Sequence, residues 1–198
     1  MRVLVACECS GIVRSAFRDA GHDAWSCDPQ PQEDSGYGHI QSDVEPYLDE
    51  GWDLLIAHPP CTYLSNTGVH LLTRTEPTPN CVPVGNDRVL QMIKAVAFWR
   101  LLSDSNIPRI AIENPVPHKY AKKYISQYTQ IVRPWQFGDS SQKGVCWWLQ
   151  GLPTLVPTVT TKPEGLGNMR SVGLSPTRQK DRSRFFRGMA EAMVNQWS

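Results

Sequence analysis

Short runs of aliphatic and β-branched residues alternate with segments of helical spacing along most of the chain, and this alternation limits the folds it can adopt. The pattern is typical of βαβ units, in which parallel strands form one sheet and helices cover it. Strands are predicted at residues 2–6, 24–27, 40–44, 52–57, 109–112 and 145–149, and helices at residues 13–20, 88–102, 117–126 and 182–197. The expected fold class is therefore α/β, with a mostly parallel sheet and helices on both faces.

The length of the chain bounds its organisation. With 198 residues it is long enough for one well-packed domain and too short for two ordinary ones, so we expect residues 1–198 to form a single domain. No apolar stretch approaches the roughly 18 residues needed to span a bilayer. The first segment, interrupted by Glu8, is typical of a strand and not of a secretory signal. These features predict a cytoplasmic protein with no membrane partner.

Charge is distributed unevenly along the chain, although the net charge is only +1. Residues 1–60 carry 3 basic and 11 acidic side chains, whereas residues 61–198 carry 17 basic and 8 acidic ones. A domain with one basic side can meet a phosphate backbone without being basic overall. The basic part therefore makes nucleic acid a candidate partner, with Lys119, Lys122, Lys123, Arg182 and Arg184 as the expected contacts.

Six cysteines raise the question of metal or disulfide frameworks. Zinc sites pair one Cys-x2-Cys with a second pair or with a His-x3-His, and neither arrangement occurs in the sequence. No metal site is therefore expected.

Four predicted strands end in residues that can do chemistry. In open parallel sheets, ligands bind beyond the carboxyl ends of the strands, so these residues should meet at one edge. Gly11 permits close backbone approach where the first strand turns into a helix, and that helix should offer free N–H groups to a polar ligand. Asp28 is placed to accept ribose hydroxyls and Asp43 to reach an adenine edge. Together these positions suit an adenosyl cofactor.

The sharpest single signal is the cysteine that follows a double proline. Pro59 and Pro60 fix the backbone φ angles and remove two N–H groups, so they hold the Cys61 thiol in one place. A thiol is nucleophilic only as the thiolate, which its surroundings must favour. Glu113, followed by Asn114 and a proline, ends another apolar strand, so a carboxyl group is expected beside the thiol.

These motifs resemble those of the DNA cytosine-5 methyltransferase family. The resemblance is strongest at residues 58–65 (HPPCTYLS) and 112–115 (IENP), and it extends to residues 7–14, Asp28, Asp43 and the C-terminal helix. It is closest to the small, single-domain members of bacteriophage genomes. It implies a Rossmann-like methyltransferase fold and S-adenosylmethionine as cofactor. The cofactor residues that it implies are Glu8, Cys9, Ser10, Gly11, Asp28, Asp43, His58 and Pro59.

The resemblance also implies a covalent mechanism. Cys61 would attack C6 of cytosine in DNA while Glu113 hydrogen-bonds N3 and the exocyclic amine, so that C5 can accept the methyl group. Residues 62–87 would form a lid over a base flipped out of the duplex. The family's Gln-x-Arg-x-Arg motif is replaced by residues 138–143, which leaves Lys143 as the basic catalytic substitute.

One departure from the family keeps several functions open. The family inserts a large target-recognition region before its C-terminal helix, but only about 30 residues lie between Pro153 and Arg182. The substrate could therefore be a free cytosine nucleotide or a single strand, or a separate partner could supply specificity. A catalytically weak nucleic-acid-binding protein is the non-enzyme alternative. An amino-methyltransferase is disfavoured because Cys61 stands where that class has an aromatic residue.

Overall fold

One seven-stranded sheet forms the centre of the computed structural model, which describes residues 1–166 and 184–198. Its strands are β1 (Arg2–Ala6), β2 (Asp23–Cys27), β3 (His39–Ile40), β4 (Leu54–Ala57), β5 (Ile110–Asn114), β6 (Gln130–Val132) and β7 (Val145–Gln150). The helices in these residues are α1 (Ile12–Asp19), α2 (Gly85–Ser103) and α3 (Arg187–Trp197). The α/β class is thereby confirmed.

The strand order is β3-β2-β1-β4-β5-β7-β6. β1 pairs in parallel with β2 and β4, and β3 and β5 extend the parallel part on either side, whereas β7 runs antiparallel to both β5 and β6. The chain builds outward from β1 to β3 and then returns to β4, so β1 and β4 meet at a topological switch point. Ligands bind open α/β sheets at the carboxyl ends of strands at such a point. The order and directions confirm the Rossmann-like methyltransferase fold.

Helices cover both faces of the sheet, as the sequence predicted. On one face, Val13 and Phe17 of α1 and Met193 and Trp197 of α3 pack with alternate residues of the central strands. On the other face, α2 contributes residues at helical spacing, among them Val96, Trp99 and Leu102. The strands are buried on both faces, which explains why they read as nearly continuous apolar runs.

Two predicted elements differ from the structure. The helix expected at residues 117–126 is wrong, because only the 3-10 turn Ala121–Lys123 forms there. Pro117 makes an isolated antiparallel bridge to Ser65, and the backbone N–H of His118 donates to the Leu64 carbonyl, so tertiary contacts hold this segment in an irregular path. The third strand is only two residues long, and Asp43 lies beyond its end.

Other elements also differ from the prediction in their bounds or their presence. α2 begins at Gly85, inside the segment expected to be loop, and a 3-10 turn at Val69–Leu72 occupies part of the predicted lid. The short strand β6 was not predicted. The predicted C-terminal helix starts too early, because residues 184–186 are not helical and α3 begins at Arg187, whereas residues 182 and 183 lie outside the described residues. Within those residues, no helix combines the length and apolar character needed to cross a membrane.

Candidate active site

The chain turns sharply after β4, and we call residues 59–65 the cysteine turn. The Cys61 carbonyl accepts the backbone N–H groups of Leu64 and Ser65, at 3.1 and 3.0 Å. Cys61 itself is half-buried, whereas Leu64 and Ser65 are buried beneath the turn. The turn therefore presents the cysteine at the carboxyl edge of the sheet, next to the switch point.

Two long-range side chains hold the carbonyl groups of this turn. The Asn114 amide, on β5, donates to the Pro59 carbonyl at 2.8 Å. The Arg88 guanidinium, on α2, donates to the Thr62 carbonyl at 3.1 Å and lies 5.0 Å above the Tyr63 ring. Both anchoring side chains are almost completely buried. Because buried polar groups are costly to leave unpaired, these bonds specify the path of the turn.

His118 holds the other side of the cysteine turn. Its backbone N–H donates to the Leu64 carbonyl at 2.8 Å, and Nε2 of its ring lies 3.0 Å from the Tyr63 carbonyl. Nδ1 accepts the backbone N–H of Ala121 at 3.1 Å, so Nε2 carries the proton and the ring is neutral. Burial, assisted by the Arg88 charge, lowers the pKa of His118 and keeps it in this form.

Glu113 ends β5 beside the cysteine turn and meets two basic side chains, which with it form what we call the carboxylate cluster. Oε2 of Glu113 lies 3.5 Å from Nδ1 of His58, and Oε1 lies 4.0 Å from Nζ of Lys143. His58 directly precedes the double proline, and Lys143 lies just before β7. The predicted catalytic residues Glu113 and Lys143 are thus neighbours, and Cys61 follows the strand beside that of Glu113.

The cluster favours the charged form of the carboxylate. Burial alone would raise the pKa of Glu113, but contact with the His58 side chain and the charges of Lys143 and His58 outweigh it, so the pKa lies below its usual value. Glu113 is therefore an anion at neutral pH. Its side chain is 13% exposed and Lys143 is 35% exposed, so a ligand can reach the cluster from the Lys143 side.

Several polar atoms of this cluster lack a partner among the described residues. They are Nε2 of His58, Oε1 of Glu113 and Oδ1 of Asn114, all of them buried. The His58 ring packs against Phe185, with ring centroids 4.6 Å apart, and more loosely against Trp147 at 6.4 Å. Buried polar groups without partners are uncommon in native proteins and require an explanation. For Oε1 of Glu113, the Lys143 ammonium at 4.0 Å supplies an opposite charge without a hydrogen bond.

The loop between β1 and α1 is stabilised from within the chain. The Glu8 carboxylate accepts the N–H groups of Val13 at 2.7 Å and Arg14 at 3.1 Å, and the Ser10 hydroxyl donates to it at 3.2 Å. The first N–H groups of α1 are therefore already occupied, and the expectation that they are free for a ligand is wrong. Glu8 caps the helix, and whether it also touches a cofactor stays a prediction.

Residues 29–38, which we call the strap, fold over Gly11. Gly11 has φ 71°, and a Cβ there would lie 2.4 Å from Oδ2 of Asp34, so only glycine fits. Asp34 is paired with Arg14, whose guanidinium is fully buried and also donates to Ser26 at 2.9 Å. The group that approaches Gly11 closely is thus the Asp34 carboxylate of the strap.

The strap also reaches the segment before α3. The Glu33 backbone N–H donates to the Cys9 carbonyl at 2.8 Å, and the Glu33 carboxylate pairs with Arg184 at 2.8 Å. Arg184 was expected to contact nucleic acid, but the structure places it here, next to Phe185. The segment that carries these two residues therefore links the strap to the His58 ring of the carboxylate cluster.

The two predicted adenosine contacts lie at successive strand ends. Asp28 follows β2 and accepts the Gln30 N–H at 2.8 Å, and Asp43 follows β3. Asp28 is half-buried and Asp43 exposed, so both remain accessible. The Cys27 thiol donates to the Ser42 carbonyl at 3.3 Å and joins the two strand ends. Cys9, Ser10, His58 and Pro59 lie at the same edge.

Three of the other cysteines are less suited to nucleophilic chemistry, because their thiols stay protonated. Burial raises the pKa of Cys7, with the Asp28 and Cys27 charges adding to it. Burial also raises the pKa of Cys27 and of Cys146, each to about 11. Cys81 is exposed on the loop before α2. In the described ranges, no three His, Cys, Asp or Glu side chains form a group that could hold a metal ion.

The basic residues that were predicted to contact nucleic acid lie in two separate places. Lys119, Lys122 and Lys123 lie together on the irregular segment after β5, and all three are exposed. Arg184 lies across the site in its ion pair with Glu33. Arg182 is outside the described residues.

Three residues of the site were not predicted as such: Asn114, Arg88 and His118. Asn114 carries a weak signal, since an amide directly after Glu113 in an apolar strand is unusual. Arg88 and His118 act on backbone carbonyls about 26 and 55 residues away along the chain, and no local pattern indicates such a partner.

Comparison with solved structures finds proteins of limited similarity, of which three are described here. A candidate DNA modification methyltransferase encoded within an E. coli prophage is 14% identical, with a TM-score of 0.47 and coverage of 89% of this chain and 56% of that chain. The S. pombe Dnmt2 methyltransferase is 17% identical, with a TM-score of 0.44 and coverage of 78% and 51%. A DNMT2 mutant of Spodoptera frugiperda is 15% identical, with a TM-score of 0.38 and coverage of 84% and 56%.

The chain spans about half the length of these solved structures. Neither a protein-family model nor a curated protein sequence matches it. The fold assignment therefore rests on the strand order and directions described above, and the function is argued from the site.

Proposed function

We propose that this chain transfers a methyl group from S-adenosylmethionine to C5 of cytosine in DNA, with Cys61 as the nucleophile. One observation carries the proposal. Cys61 follows β4, Glu113 is the next-to-last residue of the neighbouring parallel strand β5, and the Asn114 amide ties the two strand ends together at 2.8 Å. A cysteine on an ordered turn, next to the strand that carries a buried anionic carboxyl group, suits covalent activation of a pyrimidine ring.

The proposed reaction proceeds through a covalent adduct on the base. The Cys61 thiolate adds to C6 of cytosine, which makes C5 nucleophilic, and C5 then forms a bond to the methyl group. Loss of the C5 proton to a base and expulsion of the thiolate restore the aromatic ring. S-adenosylmethionine, when bound, would supply the electrophilic methyl group by breaking its sulfonium S–CH3 bond and would leave as S-adenosylhomocysteine.

The carboxylate cluster would bind and polarise the base. As an anion, Glu113 accepts a hydrogen bond from the exocyclic amine of cytosine. The positive charge of Lys143, 4.0 Å from the carboxylate, balances the negative charge that builds up on the ring during attack. His58 keeps Glu113 in place from the opposite side, because its own ring is held against Phe185.

The cofactor would bind at the ends of β1, β2 and β3. Asp28 and Asp43 are accessible carboxylates at successive strand ends, as recognition of ribose hydroxyls and an adenine amine requires. Cys9, Ser10 and Gly11 would line the methionine end, and His58 and Pro59 would separate it from the base. Three of these residues, Cys9, Ser10 and Gly11, belong to the loop that Glu8 and the strap hold in shape.

Two features favour Cys61 over the thiols of Cys7, Cys27 and Cys146. Its turn is fixed by bonds to Asn114, Arg88 and His118, so little order has to be gained when the substrate binds. The thiols of Cys7, Cys27 and Cys146 have raised pKa values and stay protonated at neutral pH.

The test is a trapping experiment with a DNA oligonucleotide that contains 5-fluorocytosine. Fluorine cannot leave C5 as a proton does, so with S-adenosylmethionine the wild-type chain should form a stable adduct, detected by intact mass and located by peptide mapping. The Cys61→Ser variant should form none, whereas the control Cys81→Ser should behave as the wild type. An adduct on another cysteine, or none in the wild type, contradicts the proposal.

A further inference from the structure

A pocket of about 250 Å³ lies beside the cysteine turn and belongs neither to the carboxylate cluster nor to the cofactor end. Its lining includes Leu72, Thr73, Met92, Tyr120, Lys123 and Tyr124. Apolar side chains from α2 and from the Val69–Leu72 turn form one part of it, and the two tyrosines form another. The lining of the pocket thus combines apolar side chains, two aromatic rings and the cationic side chain of Lys123.

The backbone of Tyr124 is fixed although its side chain is not covered. Its N–H donates to the Ala121 carbonyl at 2.9 Å, and Nε of Arg100 donates to its carbonyl at 3.0 Å. The residue nevertheless remains 50% exposed. An exposed aromatic ring on an ordered backbone loses little conformational entropy when a planar ligand stacks on it.

The charge around the pocket is strongly positive. Lys119, Lys122 and Lys123 lie within five residues of one another, and residues 119–123 contain no acidic side chain. Lys119 lies 5.0 Å above the Tyr120 ring, and Lys122 and Lys123 are exposed on the same 3-10 turn. A ligand of this surface should therefore carry negative charge together with flat, stackable groups.

Two residues that hold the cysteine turn, Arg88 and His118, also adjoin residues that line the pocket. Arg88, which holds the Thr62 carbonyl, is followed directly by Val89, which lines the pocket. The His118 ring bonds to the Tyr63 carbonyl on one side, and its centroid is 5.9 Å from that of Tyr120 on the other. Arg88 and His118 therefore connect the pocket to the turn that carries Cys61.

We propose that the Tyr120–Tyr124 pocket binds an unstacked base that flanks the target cytosine, in a single-stranded segment of nucleic acid. This inference rests on the proposed function, since it takes that strand to be the substrate. Tyr124 stacks on the flanking base, and Lys122 and Lys123 neutralise the adjacent phosphates. Any base can stack on an aromatic ring, so this contact contributes binding affinity and little sequence specificity.

The mode of binding explains how a chain of this size could hold its substrate. A flanking base in a duplex is already stacked and would have to be unpaired before it could enter the pocket. In a single strand the base is available without that cost. The pocket therefore favours a single strand, or a locally opened duplex, over an intact duplex.

The test uses a short single-stranded oligodeoxynucleotide with 2-aminopurine next to the cytosine, without cofactor, so that no methyl transfer is needed. Stacking on tyrosine should quench 2-aminopurine fluorescence on binding to the wild type. Tyr124→Ala should lose the quenching and bind roughly 5- to 150-fold more weakly, the range expected for one base–aromatic stack. Tyr124→Phe keeps the ring and should restore both.

Tyr37→Ala is the matched control, because Tyr37 is also an exposed tyrosine, 70% exposed, but lies on the acidic strap. It should bind the strand as the wild type does. No binding of the strand by the wild type, or equal binding and quenching by Tyr124→Ala, would overturn the inference. Strand binding that depends on Tyr124 in a chain that forms no Cys61 adduct would overturn the proposed function only.

Discussion

The side-chain amide of Asn114 donates a hydrogen bond of 2.8 Å to the carbonyl of Pro59 and so joins the end of β5 to the end of β4. Asn114 is 1% exposed, and its neighbour Glu113 carries the carboxylate of the proposed site. The same bond that fixes the cysteine turn therefore also fixes its distance from Glu113. Catalytic groups need positioning of this kind, because small displacements from productive geometry cost rate.

We expect Asn114→Ala to release the cysteine turn. The buried Pro59 carbonyl would lose its partner, which should lower the free energy of unfolding by about 1–3 kcal/mol. Adduct formation with 5-fluorocytosine should slow by more than the small loss of folded protein explains. Urea unfolding and the adduct rate measure the two effects. Asn106→Ala, at an exposed position before β5, is the control, and an Asn114→Ala adduct rate equal to that of the control would show that the bond does not position Cys61.

Much of this arrangement could be predicted from the sequence, because it depends on local pattern. Apolar runs that stop at Glu8, Asp28, His58 and Glu113 predict strand ends, and parallel strands place those ends at one edge. The sequence also indicated Lys143, because residues 138–143 replace the Gln-x-Arg-x-Arg motif and Lys143 is their basic residue. The structure places it next to Glu113.

The rest could not be predicted, because it depends on partners distant in the chain. Residues 117–126 have helical spacing, but bonds from Pro117 and His118 to the cysteine turn override it. Likewise, Gly11 predicts a close approach without saying to what, and in the structure Asp34 of the strap takes that place.

The carboxylate cluster predicts a shift in the pH profile of Lys143→Gln. Lys143 helps to lower the pKa of Glu113, so removing its charge should raise that pKa. If the Glu113 anion binds cytosine, the acidic limb of kcat/KM should move to higher pH. Rates of methyl transfer across the acidic range measure this. Lys94→Gln, an exposed lysine on α2, should leave the limb in place, and an unmoved limb in Lys143→Gln would mean that the Lys143 charge does not act on Glu113.

His118 should make stability depend on pH. Its pKa is lowered in the folded chain, so the unfolded chain binds the proton more readily. The contribution of the neutral ring is therefore fully present above the unfolded value of about 6.5 and is lost as the pH falls below it. His118→Gln removes this titration, and the stability advantage of the wild type over this variant should shrink on acidification. Parallel stability curves for the two proteins would contradict the assignment, and His70→Gln at an exposed histidine serves as control.

Gly188→Ala should displace α3. A Cβ at Gly188 would lie 1.9 Å from the Phe137 carbonyl oxygen, and Asp139 accepts the N–H groups of Gly188 and Met189 at this helix start. Overpacking of this kind costs about 1–3 kcal/mol, and it should also move Phe185 away from His58. The midpoint temperature of thermal unfolding and the adduct rate should both fall. At Gly144 a Cβ meets nothing closer than 3.8 Å, so Gly144→Ala should change neither, and an unaffected Gly188→Ala would show that α3 can shift without cost.

The lysines around the Tyr120–Tyr124 pocket predict the salt dependence of nucleic-acid binding. Each phosphate contact to a single strand releases counterions and adds roughly 0.7 to the slope of log K against log salt. The triple variant with glutamine at Lys119, Lys122 and Lys123 should therefore lower that slope by about 2 if all three contact phosphates. Fluorescence anisotropy with a labelled single strand at several salt concentrations gives the slope, because it needs neither cofactor nor turnover. Lys94→Gln on α2 is again the control, since Lys94 is exposed and does not line the pocket. An unchanged slope in the triple variant would place the phosphate contacts elsewhere on the basic part of the chain.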